Sequence, residues 1–297
     1  MMAYNPIFFT TFAHKFQKHQ KRKMNSQKIL FVTQEINPYV PESLMTQIGR
    51  AVPLKAIDEG YEIRTFMPKW GNINERRNQL HEVIRLSGLN ITVNDVDHPL
   101  IIKVASVTGT RMQVYFIDNE DYFAKRLAEE DANGKEYADN VERSVFYARG
   151  VLETVKKLRW QPDLIHCQGW ISSMLPILLK TVYADEPCFR NTKVVYVCSD
   201  NKLTLSSQDP LTDVLDMRQT PDAIPVGYEG STSPEQMEEL ALRFCDGVSL
   251  CNESPSTTLL HLAQERGIPM LEDKEMSVEK QLDLIVRTFG AGSQGED

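Results

Sequence analysis

Residues 28 to 71 constrain the fold more than any other stretch of this chain. A short apolar run (29–32) leads into a polar loop holding Asn37-Pro38 and Pro41. Leu44, Ile48, Val52 and Ile57 then recur at helical spacing, Gly60 closes that pattern, and a second apolar run (63–67) stops at Pro68. The order is strand, loop, helix, strand, a βαβ unit whose two strands must run parallel. In an open parallel sheet, ligands bind beyond the carboxyl ends of the strands, so the loop over residues 33–43 is where chemistry is expected.

The rest of the chain extends this unit. Residues 82–86, 90–93 and 100–107 are strand-like; the last breaks at Thr108-Gly109-Thr110 and resumes over 111–117, the pattern of a hairpin. Residues 139–158 predict a long helix with an acidic start, a broad apolar stripe and Lys156-Lys157 at its end. Arg143 and Arg149 are expected on its solvated side. Residues 162–167 predict a buried strand leaving through Gln168-Gly169-Trp170, and 172–183 an apolar helix. The run KVVYVC at 193–198 predicts another strand, leaving through Ser199-Asp200-Asn201. Residues 202–231 have no periodicity and several prolines, which predicts a long loop. Ser233-Pro234-Glu235-Gln236 is a helix start with its cap, its proline and its returning glutamine in place. A strand at 247–251, a helix opened by Ser254-Pro255 and a last helix over 277–289 complete the pattern. The expected fold is α/β: a doubly wound, Rossmann-like parallel sheet with an antiparallel hairpin. Residues 27–290 are expected to form one domain. Residues 1–26 read as a basic extension, disordered or upstream of a true start at Met24, or else a basic membrane-surface or transit segment; 291–297 read as a disordered tail.

Charge and composition exclude several classes. The formal net charge is -8, and five of the bases lie within the first 26 residues, so the remainder is more acidic still. A nucleic-acid footprint needs a basic face, and none is expected. No apolar run reaches the roughly 18 residues that span a bilayer. The cysteines at 167, 188, 198, 245 and 251 contain no CxxC pair, which fits reduced thiols and a cytoplasmic protein. His166 and Cys167 are adjacent on a strand and point to opposite faces, so they cannot share a metal. No metal and no cofactor are implied.

Several dispersed segments together resemble the N-terminal half of bacterial glycogen synthases and plant starch synthases. They are KILFVTQEINPY, AVP followed by GYEIRTFMPKWG, DNVERSVFYARGVLE, QPDLIHCQGW, KVVYVCSDN and FCDGVSLCNESP. The resemblance runs from Lys28 to about Leu271 and implies the N-terminal-type domain of the two-domain GT-B architecture. It implies glucosyl transfer from ADP-glucose to an α-1,4-glucan as the ancestral activity. Residues that carry this chemistry in the family are replaced here. Family members have Lys-Thr-Gly-Gly-Leu in the first loop, where the lysine meets donor phosphate and the glycines let backbone approach it. The matching positions are Pro41, Glu42, Ser43, Leu44 and Met45. His-Asp-Trp-His after the buried strand is Gln168-Gly169-Trp170-Ile171, and Thr-Ile-His-Asn is Val197-Cys198-Ser199-Asp200. The family's C-terminal domain lies outside these 297 residues.

These departures assign no catalytic residue. Pro41, Glu42, Ser43, His166, Gln168, Gly169, Trp170, Ser199 and Asp200 remain as binding candidates of a degenerate cleft. His166 reads more simply as a core histidine. Trp170 is either a sugar-stacking platform or packing under the next helix, and Asp200 either a hydroxyl ligand or a turn residue. ADP-glucose or an α-glucan is the expected ligand, held weakly if at all. Two functions follow: a binding or regulatory protein of polysaccharide metabolism without autonomous transfer, or a transferase whose donor half comes from a partner chain. A third option uses Leu44, Met45 and Ile171 as an apolar contact surface, covered by a second copy or a partner chain.

Overall fold

The computed structural model describes residues 27–200, 202–215, 223–251 and 256–290. The expected basic extension, the C-terminal tail and the helix start at Ser254-Pro255 lie outside these residues. The strands are β1 (Lys28–Thr33), β2 (Glu62–Pro68), β3 (His81–Glu82), β4 (Leu89–Val93), β5 (Val96–Ser106), β6 (Gln113–Asp118), β7 (Leu164–Gln168), β8 (Lys193–Cys198), β9 (Gly247–Leu250) and β10 (Met270–Glu272). The helices are α1 (Leu44–Glu59), α2 (Asn140–Leu158), α3 (Leu175–Lys180), α4 (Leu211–Val214), α5 (Pro234–Phe244), α6 (Thr257–Arg266) and α7 (Val278–Gly290).

One sheet carries them in the order β10-β9-β8-β7-β1-β2-β6-β5-β3. From β10 to β6 neighbours are parallel, and β5 turns back antiparallel on β6. The expected hairpin is therefore present, and β4 adds a second one. Its two turn residues, Asn94 and Asp95, both have positive φ (51° and 62°), the conformation of the tightest hairpin turn. The chain leaves β1 toward β2 and returns on its other side at β7. This reversal puts the topological switch point between β1 and β7.

Both faces of the central strands are covered, so they read as continuous apolar runs. Alternation then sorts their side chains. Ile29, Phe31, Leu164, Val195 and Val197 pack with Ile48 and Val52 of α1 and Leu284 and Ile285 of α7. Leu30, Val32, Ile165, Cys167 and Tyr196 face the opposite layer, which holds α2, α3 and α5. His166 and Cys167 thus sit on opposite faces, as strand geometry requires.

Some elements are shorter than their sequence pattern predicts. The strand expected at 82–86 keeps only His81–Glu82, and the helix expected at 172–183 becomes a 3-10 turn (Trp170–Ser172) followed by α3. Arg143 is a correction of a different kind. It is fully buried rather than solvated, donating to the carbonyls of Tyr122, Leu127 and Ala128 and to Asn140 Oδ1. Trp70, Phe123 and Tyr137 surround the guanidinium. Burial pulls its pKa down to about 9, still high enough to keep the charge at neutral pH. Arg149 is also engaged, donating to the Leu215 carbonyl at 2.5 Å.

Candidate functional site

The switch point brings three strand exits together. Thr33 pairs with Gln168 across β1 and β7, and Gln168 with Val197 across β7 and β8. The polar residues that follow, Gln34, Gly169 and Ser199, stand side by side along the carboxyl edge of the sheet. Beside them lie the N-terminus of α1 and the loop after β6.

The first loop reaches this edge through a closed set of hydrogen bonds. Asn37 N–H donates to the Thr46 carbonyl, folding the loop back on the first turn of α1. Trp70 Nε1 holds the Gln34 carbonyl at 2.9 Å and the Tyr147 hydroxyl holds the Thr33 carbonyl at 3.1 Å. Pro41, Glu42 and Ser43 are exposed at the tip. Ser43 caps the helix: its hydroxyl accepts the Thr46 N–H at 3.1 Å, and Thr46 Oγ1 accepts the Ser43 N–H at 2.8 Å. A helix N-terminus attracts anions because its first N–H groups lack partners. Here two of the donors at this end are already satisfied by the chain itself. Glu42 adds a carboxylate at the same end, where it accepts from Gln47 Nε2 at 3.0 Å.

Two further carboxyls, Glu35 and Glu129, lie near each other, and burial favours their neutral forms. Burial raises the pKa of Glu35, and the carboxylate of Glu129 raises it further. Glu129 is raised by burial as well, partly offset by Lys202. The loop carrying Glu129 is tied across the cleft edge by Glu136. Its carboxylate accepts from the N–H groups of Thr204 and Leu205 and from the Thr204 hydroxyl.

Residues 168–171, the second resembling segment, are buried. Gln168 bridges the switch point, with Oε1 accepting from Thr33 Oγ1 at 3.0 Å and Nε2 donating to the Met45 carbonyl at 3.3 Å. Gly169 has φ 82°, and a Cβ there would sit 2.5 Å from Gln34 Oε1. A side chain at this position would require Gln34 to move. Trp170 is 2 % exposed and tilts against Trp70 with ring centroids 6.4 Å apart, so its faces lie inside the core. Ile171 is wholly buried, which removes it from any contact surface; Leu44 stays exposed. His166 is 2 % exposed beside Phe31. Burial lowers its pKa to about 4, and the gap between α1 and the ends of β1 and β7 is too narrow for a water molecule. Of the third element, Ser199 is buried and Asp200 is exposed. Among the described residues, no three His, Cys, Asp or Glu side chains are placed to hold a metal. No helix among them is long and apolar enough to cross a membrane.

Residues 28–267 match the model of the starch synthase catalytic domain. The chain belongs to that family. It is 40 % identical over 169 residues to the glycogen synthase of Chlorobium limicola, a match covering 57 % of this chain and 35 % of that protein. The glycogen synthase of Chlorobaculum tepidum is 38 % identical over 169 residues, with the same coverage of each chain. The chain thus spans about a third (35 %) of the length of the curated relatives it matches. The catalytic domain of starch synthase IV from Arabidopsis thaliana, bound to ADP and acarbose, superposes with a TM-score of 0.64 at 14 % identity. That match covers 84 % of this chain and 52 % of the plant chain, and at such identity it shows a shared fold.

The sequence pointed to the strand exits, and four groups the structure places beside them were not singled out there. Thr46, Glu35, Glu129 and Glu136 carry no motif. Of these, only Thr46 has a local signal, a hydroxyl three residues after Ser43.

Proposed function

We propose that this starch synthase-like chain does not transfer glucose from ADP-glucose by itself and serves as a binding or regulatory component of polysaccharide metabolism. The observation that carries this reading is the reciprocal cap between Ser43 and Thr46, which occupies the helix end where family members hold donor phosphate. Three further features support it. Pro41 supplies neither the cation nor a backbone N–H at the lysine position. Glu42 places an exposed carboxylate where a diphosphate needs positive charge, and Glu35 and Glu129 add further carboxyls rather than cations nearby. Gln168 and Gly169 stand in place of the family's histidine and aspartate, in a space already filled by Gln34 and Met45.

Removing one positioned electrostatic group from an active site commonly costs about a hundredfold to a thousandfold in rate. Several such losses leave no useful turnover even when a partner supplies the nucleotide-binding half. The test is transfer of labelled glucose from ADP-glucose to glycogen by the purified chain, alone and mixed with the C-terminal half of an active synthase. No transfer above background in either mixture is the expected result. Turnover restored by the added half would establish the partner-complemented transferase instead.

A further inference from the structure

Away from the cleft, four side chains from three parts of the fold form one chain of hydrogen bonds. Asp121 and Tyr122 come from the loop after β6, His98 from β5 and Glu142 from the first turn of α2. Asp121 Oδ2 lies 3.0 Å from His98 Nδ1, and His98 Nε2 lies 3.0 Å from the Tyr122 hydroxyl. That hydroxyl lies 3.3 Å from Glu142 Oε2. His98 and Tyr122 are buried against Phe146, while the Asp121 side chain reaches solvent.

Each link needs one hydrogen. A carboxylate only accepts, so the hydrogen between Asp121 and His98 sits on Nδ1, and a neutral ring then offers Nε2 as an acceptor. Tyr122 has a single hydrogen to give and two acceptors to satisfy, His98 Nε2 and Glu142. With both carboxyls ionised and the ring neutral, one link therefore sets two acceptors face to face, a costly arrangement out of water. One further proton, on Glu142 or on Nε2, gives every link a donor. The surroundings favour keeping it. Burial and then Asp139 raise the pKa of Glu142 above its ordinary 4.5, and Asp209 adds to this while Tyr122 and His98 offset part of it. Asp209 is itself held by Asn94 in the β4–β5 turn. Arg126 is engaged with Asp139, and Arg143 with the Tyr122 carbonyl. Burial, with Glu142 and Asp139 beside it, pushes the Tyr122 hydroxyl well up, so it keeps its hydrogen.

We propose that Asp121, His98, Tyr122 and Glu142 form a proton-operated latch fastening the loop after β6 to β5 and α2, tight while the chain holds the extra proton and loosened on its release. The sign follows from the carboxyl. A group raised in the folded state contributes stability that is fully present below its ordinary value and is lost as pH rises through the folded one. The pair shares the proton, so the titration belongs to the chain of groups and not to one residue. The same loop carries Glu129 and Glu136 at the cleft edge, so pH sets how firmly that edge is held. The latch stands whether or not the protein transfers glucose.

The test is NMR of the full chain with labelled histidine, which follows the His98 ring from about pH 5 to about pH 9, beside amide-exchange protection over residues 119–128. Glu142→Gln offers the Tyr122 oxygen an amide N–H at every pH and so completes the chain without the extra proton. In the wild type, protection is expected to fall about fivefold as pH rises, the equivalent of one hydrogen bond, and the His98 signals change over the same range. Glu142→Gln is expected to hold full protection throughout. Tyr122→Phe cuts the chain: protection is low at every pH, and His98 titrates alike whether residue 142 is Glu or Gln. Wild-type protection independent of pH, or a Glu142→Gln profile that follows the wild type, overturns the latch. So does a His98 titration in Tyr122→Phe that still responds to residue 142.

Discussion

Ser43 and Thr46 close the N-terminus of helix α1 on itself by exchanging two hydrogen bonds, 3.1 Å from the Thr46 N–H to the Ser43 hydroxyl and 2.8 Å from the Ser43 N–H to Thr46 Oγ1. A phosphate approaching this end finds the Ser43 and Thr46 N–H groups already engaged. The same pair anchors the first helix of the fold.

Replacing Ser43 by alanine removes the cap. Loss of an N-cap hydroxyl costs about 1 kcal/mol. The expected outcome is a urea midpoint lowered accordingly with an unchanged slope. Thr46→Val removes the return bond and has a similar, non-additive effect, because both belong to one box.

Arg143 fastens the loop after β6 through three backbone carbonyls. Arg143→Met leaves those carbonyls unpaired beneath Trp70 and is expected to destabilise the fold by about 3–5 kcal/mol. Arg143→Lys does not rescue it, since an ammonium cannot reproduce the planar fork. Hydrogen exchange at residues 122–128 reads the effect directly; protection unchanged in either variant would contradict this role.

His166 gives the fold an acid sensitivity of known sign. Its folded pKa, about 4, lies below the ordinary value of 6.5, so the folded state prefers the neutral ring. Its contribution is fully present above pH 6.5 and is lost as pH falls toward 4, by about 3 kcal/mol over that window. His166→Phe should flatten this part of the stability profile between pH 7 and pH 4. An identical profile in both proteins would show that the ring is solvated.

Gly169→Ala places a methyl group against Gln34 Oε1 and forces a side chain into a φ of 82°. A cost of about 1–3 kcal/mol is expected from the strained backbone alone, read as a lowered melting temperature. Restoring the family's aspartate there should be worse than alanine. Better folding of the aspartate variant would show that the space beside Gln34 is open.

The sequence was most legible where periodicity and local chemistry agree. The βαβ unit, the Lys193–Cys198 strand and the Ser233–Gln236 helix start follow from spacing alone. Ser43 was legible as a lost glycine but not as a cap, because threonine closes its box in place of the usual Glu or Gln. Arg143 looked like any charged residue on a helix, since its acceptors are backbone carbonyls 15 to 21 positions away. Ile171 looked available for contact until the 3-10 turn after β7 rotated it inward. Strand β10 is three residues long, too short for an alternating pattern to register.

The loop itself can be tested apart from the rest of the protein. Pro-Glu-Ser-Leu-Met, as found at residues 41–45, would replace Lys-Thr-Gly-Gly-Leu in an active synthase of the family, with transfer from ADP-glucose measured beside the melting temperature. A fall in kcat of about a hundredfold or more, with the fold intact, is the predicted result. A synthase that keeps most of its activity with this loop would contradict the account.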